Sequence, residues 1–309
     1  MSRLVCVAPN PSIDRLYVVD RLLPGAIHRP TLSVAVPGGK GLNAARAAHT
    51  LGADVVTVTI LRGHAGQWIE DQLAQLGVRS RVAWASGETR TCISIRDPET
   101  EGLTEIYDRG EPLTPSDWAG LEELVAQELA AGAELLTISG GVPPGIDDDA
   151  FGRICRVARR SGAKALIDVY GPGLIGALHE QPWLVKVNAA ESAELLGRPV
   201  EAERDAVEAA AEIRRRGADV AIVTMGRSGA VASMPDGELR LPPPAMIGPY
   251  GVGSGDAFLG GLAAGLLAGQ SLPEALQLAS AAATAAAQKP GPGNLDVDLA
   301  RRLFGASSS

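Results

Sequence analysis

Short apolar runs alternate along this chain with longer amphipathic stretches. Residues 4–8, 55–60, 135–138, 165–169, 184–187 and 220–224 are each nearly continuous in Val, Ile, Leu and Ala. Runs of that length without a polar face read as strands buried on both sides. Helical patterns lie between many of them. Thr114-Pro115-Ser116-Asp117 has a capping residue followed by proline at the first helical position, which predicts a helix start. An apolar helix is predicted over 257–268, and the Ala-rich stretch 279–287 reads as a close-packed buried helix. Strand and helix in alternation predict a mostly parallel sheet covered by helices on both faces, with ligands beyond the carboxyl ends of the strands.

Segments within about 14–37 and 88–108 break this alternation. They are rich in alternating Val, Thr, Ile and Arg with no helix between close partners, so they predict a small separate sheet inserted into the core. No linker is long enough to set off a second independent unit, so residues 1–309 are expected to form one domain. The tail, residues 305–309, is small and polar and is expected to fray.

At 309 residues and 46% hydrophobic content, one large α/β domain can bury a full core. The net charge of −8 and the lack of a basic stretch argue against a nucleic-acid partner. Any anionic ligand of so acidic a chain needs positive charge concentrated locally. Cys6, Cys92 and Cys155 are scattered and read as reduced thiols of a cytoplasmic protein. The four histidines form no ligand cluster. No charged leader with a long apolar core opens the chain, and no apolar run approaches the ~18 residues of a membrane span.

The chemistry concentrates in glycine turns that open helices. In Tyr250-Gly251-Val252-Gly253-Ser254-Gly255-Asp256, glycines stand at every second position before an aspartate and an apolar helix. Bare glycine backbone lets N–H groups converge on an anion, and the helix start adds its unpaired N–H groups and positive dipole end. A carboxylate beside such a site suits a general base that removes a hydroxyl proton while phosphate charge is stabilised next to it. The plain alternative is a tight turn with Asp256 as a cap. A dinucleotide fingerprint fails, because its last glycine position holds Asp256, and a nucleophile elbow fails, because Val252 stands two before Ser254.

Pro37-Gly38-Gly39-Lys40-Gly41-Leu42-Asn43 is a second glycine turn leading into a helix. Gly41 follows Lys40 where a Walker A loop has Ser or Thr. Lys40 could pair with an anion, with Asn43 one turn on, or could be a solvated lysine. In Lys186-Val187-Asn188-Ala189-Ala190-Glu191, an amide and a carboxylate at i, i+3 suit water-bridged Mg²⁺ near phosphates, and equally suit a helix capping box.

With Ala8-Pro9-Asn10-Pro11-Ser12-Ile13-Asp14 added, the chain resembles the ribokinase-like sugar kinases of the phosphofructokinase-B branch, in particular 1-phosphofructokinases and tagatose-6-phosphate kinases. The resemblance runs over essentially the whole chain. It includes Gly38 to Arg46, Gly87-Glu88-Thr89-Arg90-Thr91, Ser139-Gly140-Gly141-Val142-Pro143-Pro144-Gly145, Lys186 to Glu191, Val223-Thr224-Met225-Gly226 with Gly229, and Val252 to Asp256. It implies a three-layer α/β/α core in which the small sheet is a lid over the sugar and a homodimer contact. It implies ATP and Mg²⁺ as cofactors and a phosphosugar as substrate, with fructose 1-phosphate first.

Carried over by residue, it makes Asp256 the base, with the backbone N–H groups of Gly253, Ser254 and Gly255 stabilising the transferred phosphoryl group. Asp14, Gly39 and Asn43 would bind sugar hydroxyls, and Lys40, Arg90 and Ser139 the phosphate already on the sugar. Asn188 and Glu191 would hold Mg²⁺ through water, with Lys186 nearby, and Thr224, Gly226 and Gly229 would border the nucleotide. Cys92 and Tyr107 stand where the family pattern has Asn, Tyr250 where it often has a small polar residue, and Val187 where it has Pro, so the kinase activity is better marked than the sugar. Two alternatives are a kinase of an unphosphorylated sugar or nucleoside, which would leave Lys40 and Arg90 without an anionic partner, and a non-catalytic sensor, which has no need of Asp256.

Overall fold

The computed structural model describes residues 3–100 and 102–307. Strand β1 (Arg3–Ala8) sets the design. Its side chains alternate between two cores: Val5 and Val7 join one cluster, Leu4, Cys6 and Ala8 the other. Alternation with both sides apolar is what a central strand between two helix layers requires. Parallel pairing joins β1 to β4 (Asp54–Arg62) and to β8 (Leu135–Gly140). The sheet then continues from β4 to β5 (Arg79–Ala85), and from β8 through β9 (Lys164–Val169) and β10 (Leu184–Asn188) to β11 (Val220–Thr224). Two antiparallel strands, β12 (Ala230–Met234) and β13 (Gly237–Leu241), complete nine.

One face carries α3 (Pro115–Ala130), α4 (Ala150–Arg160), α5 (Pro172–His179), α6 (Ala189–Leu196) and α7 (Glu203–Arg215), packed through Trp118, Phe151, Leu174 and Ala206. The other carries α1 (Lys40–Thr50), α2 (Gly63–Gln75), α8 (Ser254–Leu267) and α9 (Leu272–Ala286). There small residues allow close contact: a Cβ on Gly260 would lie 2.9 Å from the Ala47 side chain. Helix α10 (Val297–Ser307) closes a third cluster with Ala47, Ala257 and Ala285. Among the described residues no helix is long and apolar enough to cross a membrane.

A second, four-stranded sheet has the order β3–β2–β6–β7: β2 (Ser12–Val18), β3 (Leu32–Gly38), β6 (Thr91–Arg96) and β7 (Thr104–Tyr107). Strands β2 and β3 run from Ser12 to Gly38, slightly beyond the first segment that broke the helix-strand alternation, and β6 and β7 fall inside the second. Pairing of Asp14 with Cys92, and of Cys92 with Tyr107, sets the residues that depart from the family pattern side by side.

The helix start at Thr114 is observed with a full capping box. The tail differs from expectation: α10 runs on through Ser307, because Ala300 and Leu295 anchor it against α1 and α9, and residues 308–309 lie outside those described. Strands β5 and β13 carry too many polar residues to stand out as apolar runs, since they are the two edges of the sheet.

Candidate active site

The motifs meet at the carboxyl ends of the parallel strands. Asp14 lies in β2 just beyond β1, Ser139 and Asp168 stand one residue before the ends of β8 and β9, Asn188 ends β10 and Thr224 ends β11. Helices α1 and α8 begin above them, each opened by a glycine, Gly39 and Gly253, with positive φ and no side-chain cap.

Asp256 is 7% exposed in the first turn of α8. Asn43 Nδ2 donates to its Oδ2 at 2.9 Å and lies 3.4 Å from Asp14 Oδ2. Burial, followed by the charge of Asp168, raises the Asp256 pKa to about 6, against the pull of Lys40 and Lys186. That value suits a base that works near neutrality. Asp14 accepts from Ser12 Oγ at 2.5 Å and from Gly39 N at 3.2 Å, while burial raises its pKa. Gly38 must be glycine here, because a Cβ would fall onto the Asp14 carboxylate.

The turn before Asp256 has the form of an anion site. Gly253 takes φ +82°, and the N–H groups of Gly253 and Gly255 make no hydrogen bond, whereas Ser254 N donates to Gly251 O at 3.2 Å. Ser254 Oγ is buried without a partner. Of the expected donors, therefore, the amides of Gly253 and Gly255 are free and that of Ser254 is spent within the turn. Lys186 lies beneath, with its Nζ 3.1 Å from where a Gly255 Cβ would stand.

Asp168, fully buried, was not singled out from the sequence. Its Oδ2 accepts from Lys186 Nζ at 2.6 Å and its Oδ1 from Lys40 Nζ at 3.3 Å. Burial opposes its charge, yet the two lysines hold its pKa below the usual range. An aspartate closing an otherwise apolar parallel strand, Ala165-Leu166-Ile167-Asp168, is the sequence signal that marks it. Lys40 Nζ also donates to Glu191 Oε1 at 2.6 Å and lies 5.2 Å from the centre of the Tyr170 ring. Despite burial, Asp168 and Glu191 raise the Lys40 pKa and keep it charged.

Asn188 and Glu191 form the capping box of α6: Asn188 Oδ1 accepts from Glu191 N at 2.8 Å and Glu191 Oε2 from Asn188 N at 2.9 Å. Among the described residues no three His, Cys, Asp or Glu side chains are grouped to hold a metal. Mg²⁺ still fits at Glu191 in its usual manner, through water and substrate phosphates rather than a protein cage.

Arg90 donates to the backbone oxygens of Asn10 (3.0 Å), Pro11 (3.4 Å) and Asp108 (2.8 Å), tying the lid to the loop after β1. Ser139 Oγ is buried and unpartnered. The structure thus joins Asp14, Asn43 and Asp256 in one network and Lys40, Asp168, Lys186 and Glu191 in another, with Arg90 on backbone carbonyls and contacting neither Lys40 nor Ser139.

Beside the glycine turn opens a cavity of about 690 Å³. Its lining includes Thr224, Gly226 and Gly229, Ser254 and Gly255 of the glycine turn, and Arg96, Leu103 and Glu105 from the lid segment. A cavity of that volume, lined in part by Gly255 with its free backbone amide, is large enough for a small-molecule ligand.

Residues 1–298 match the family described as pfkB family carbohydrate kinase. The chain belongs to that family. It is 31% identical over 268 residues to a 1-phosphofructokinase of Xanthomonas campestris pv. campestris, covering 85% of this chain and 84% of that protein. It is 29% identical over 306 residues to an ATP-dependent 6-phosphofructokinase isozyme 2 of Mycobacterium tuberculosis, covering 98% and 89%. Among solved structures, phosphofructokinase-2 from Escherichia coli in complex with substrates and products superposes with a TM-score of 0.91 at 27% identity, over 100% of both chains. The architecture is ribokinase-like α/β with a mostly parallel sheet and a second small sheet. The protein is an ATP-dependent sugar kinase, a phosphotransferase with an alcohol acceptor, which sets aside the non-catalytic sensor.

Proposed function

We propose that this kinase transfers the γ-phosphoryl group of ATP to a hydroxyl of a phosphorylated ketohexose, with fructose 1-phosphate first and tagatose 6-phosphate or fructose 6-phosphate next. The observation that carries the chemistry is the Asp14–Asn43–Asp256 network beside the free amides of Gly253 and Gly255. Asp14 and Gly39 are set to bind sugar hydroxyls, with Asn43 holding both carboxylates. Asp256 takes the proton from the acceptor hydroxyl as its oxygen attacks phosphorus. The amides of Gly253 and Gly255, with Lys186 beneath, offset charge gathering on the phosphoryl oxygens. Positioning and charge stabilisation of this kind are what phosphoryl transfer needs. Mg²⁺, held through water by Asn188 and Glu191, would neutralise phosphate charge.

A phosphorylated acceptor is favoured because the acceptor side offers more cation and donor capacity than a neutral sugar needs. Lys40 bonds Asp168 and Glu191 and acts on Asp256 through charge, Arg90 bonds the loop just before β2, the strand of Asp14, and Ser139 Oγ is without a partner. The similarity to 1-phosphofructokinases and to a 6-phosphofructokinase supports the same class of acceptor. A coupled ADP-release assay over fructose 1-phosphate, fructose 6-phosphate, tagatose 6-phosphate, free fructose, ribose and adenosine tests it. A best substrate without a phosphate would overturn the phosphosugar reading and leave the kinase intact.

The lid sheet also supports a homodimer. Ile106 and Tyr107 on β7 are 58% and 52% exposed, and Ile27 in the loop between β2 and β3 is 86% exposed, more apolar surface than a solvated lid needs. Sedimentation equilibrium on the parent and on Ile106→Asp tests the contact, the variant being expected as a monomer.

A further inference from the structure

Arg46 ends the glycine-lysine signature, and no role described above uses it. It lies within α1, 4% exposed, and among the described residues its guanidinium forms no ion pair. Its partners are four neutral oxygens. Nη1 donates to Pro37 O at 2.8 Å and to Pro292 O at 2.9 Å, with Asn43 Oδ1 sharing it at 3.4 Å, and Nη2 donates to Asn294 Oδ1. A buried cation is tolerated only where acceptors are held for it. Here they come from three separate segments: the end of β3, α1 itself and the turn at 290–294.

Those segments all border the reacting groups. Asn43 carries one acceptor and one donor group. Arg46 can only donate, so its positive face 3.4 Å from Oδ1 favours the amide orientation in which Nδ2 faces Asp256. A flipped amide would set an oxygen against the Asp256 carboxylate and a donor against a guanidinium. The turn at 292–293 meanwhile backs the anion site. A Cβ on Gly253 would lie 2.9 Å from Pro292 Cα and 2.9 Å from Gly293 N. A Cβ on Gly293 would lie 2.8 Å from Asn43 Cα and 3.1 Å from Arg46 Nη1. Gly253 therefore rests on a turn that rests in turn on Asn43 and Arg46.

We infer that Arg46 is a positioning residue for phosphoryl transfer: it fixes the Asn43 amide with its N–H toward Asp256 and clamps the 292–293 turn behind the glycine turn. The inference rests on Asp256 being the base. Its action is on geometry at the moment of transfer, so it belongs in kcat. A cavity of about 240 Å³ lined by Arg46, His49, Thr50, Lys289 and Asn294 opens beside this residue.

The decisive variants are Arg46→Lys and Arg46→Ala, each checked for folding by circular dichroism and gel filtration. Lysine keeps the charge but cannot span the acceptors, so Arg46→Lys should lower kcat about 10–100-fold with both KM values within about threefold. In Arg46→Ala, guanidinium chloride at low millimolar concentration should restore kcat saturably, and sodium chloride at equal ionic strength should not. Should Arg46→Ala fail to fold, Asn294→Ala takes its place. It should also lower kcat at constant KM, and its effect combined with Arg46→Lys should fall short of the product of the two. A kcat within threefold of the parent in Arg46→Lys, a loss confined to KM, a folded Arg46→Ala without rescue, or multiplicative effects would each overturn the inference. Asp256→Asn, run alongside, separates the two readings: if it stays active the base assignment fails, whereas a dead Asp256→Asn beside a parent-like Arg46→Lys defeats this inference alone.

Discussion

Asp256→Asn should make the protein more stable while removing its activity, and the stability gain should depend on pH. Burial and the nearby Asp168 raise the Asp256 pKa from 3.8 to about 6. The folded protein therefore holds the proton more tightly than the unfolded chain does. Below about pH 4 the group is protonated in both states and costs nothing. As pH rises toward 6 the unfolded chain loses the proton first, so folding stability falls, and above 6 the full penalty stays. A pKa difference of this size corresponds to about 3 kcal/mol, an order-of-magnitude figure. Asparagine carries no charge and can still accept from Asn43 Nδ2. The variant should thus match the parent near pH 4 and exceed it by about 3 kcal/mol at pH 8, on the order of 5 °C in Tm.

Two measurements check this. Urea denaturation of both proteins between pH 4 and 8 reads the stability difference. A gain that is equal at both ends of that range, or a loss at pH 8, would refute the desolvation argument. Steady-state assays read the chemistry: kcat should fall about 10²–10⁴-fold with little change in ATP affinity. The parent kcat/KM should rise with pH through about 6 and then level off, because the base works only when deprotonated. Turnover within a few-fold of the parent would remove Asp256 from the mechanism.

Glu191→Gln should weaken Mg²⁺ use, with part of the rate recovered at high Mg²⁺; an unchanged Mg²⁺ titration with a small stability loss would leave Glu191 as a cap and a lysine partner only. Lys40→Met and Arg90→Met should each raise KM for a sugar phosphate about tenfold or more at near-constant KM for ATP, and combine non-additively if both hold one phosphate. If Lys40→Met instead raises KM for ATP, the lysine serves the nucleotide side, where Glu191 and Asp168 hold it now. Gly253→Ala places a Cβ at φ +82° and 2.9 Å from Pro292, so turnover should fall about 10-fold or more as the anion site is forced open.

The sheet was legible because parallel strands buried on both faces must be continuously apolar, and the catalytic turns because glycine and charge stand out against such runs. Edge strands β5 and β13 were not, since Arg79 and Arg81 on β5 and Glu238 and Arg240 on β13 give no apolar run to read. The small sheet could be read from alternation, because one side faces solvent. The polar network was only half visible. Asp14, Asn43 and Asp256 sit in conspicuous motifs, but Asp168 is one polar residue in an apolar strand, and its worth appears only when Lys40 and Lys186 converge on it from α1 and β10. The bonds of Asn188 and Glu191 are those of a capping box, and the sequence offered that reading together with the metal one because a single i, i+3 pair serves both.

Charge balance explains why these residues can share so small a space. Asp168 is fully buried and paired with two lysines, so neither lysine is a free cation waiting in solvent. Lys186 stays close under the glycine turn, at 3% exposure, with one carboxylate to anchor it. Lys40 is less enclosed and holds two carboxylates, Asp168 and Glu191. An incoming phosphate must compete with both for its ammonium, and Mg²⁺ drawn to Glu191 would weaken that hold. Binding on the nucleotide side would then loosen Lys40 for an anion, while Asp256, which Lys40 helps to keep ionised, would lose part of that support and become a stronger base. The acidic pairing that looks like a structural salt-bridge cluster would, on this account, also hold the cation until the nucleotide side is filled.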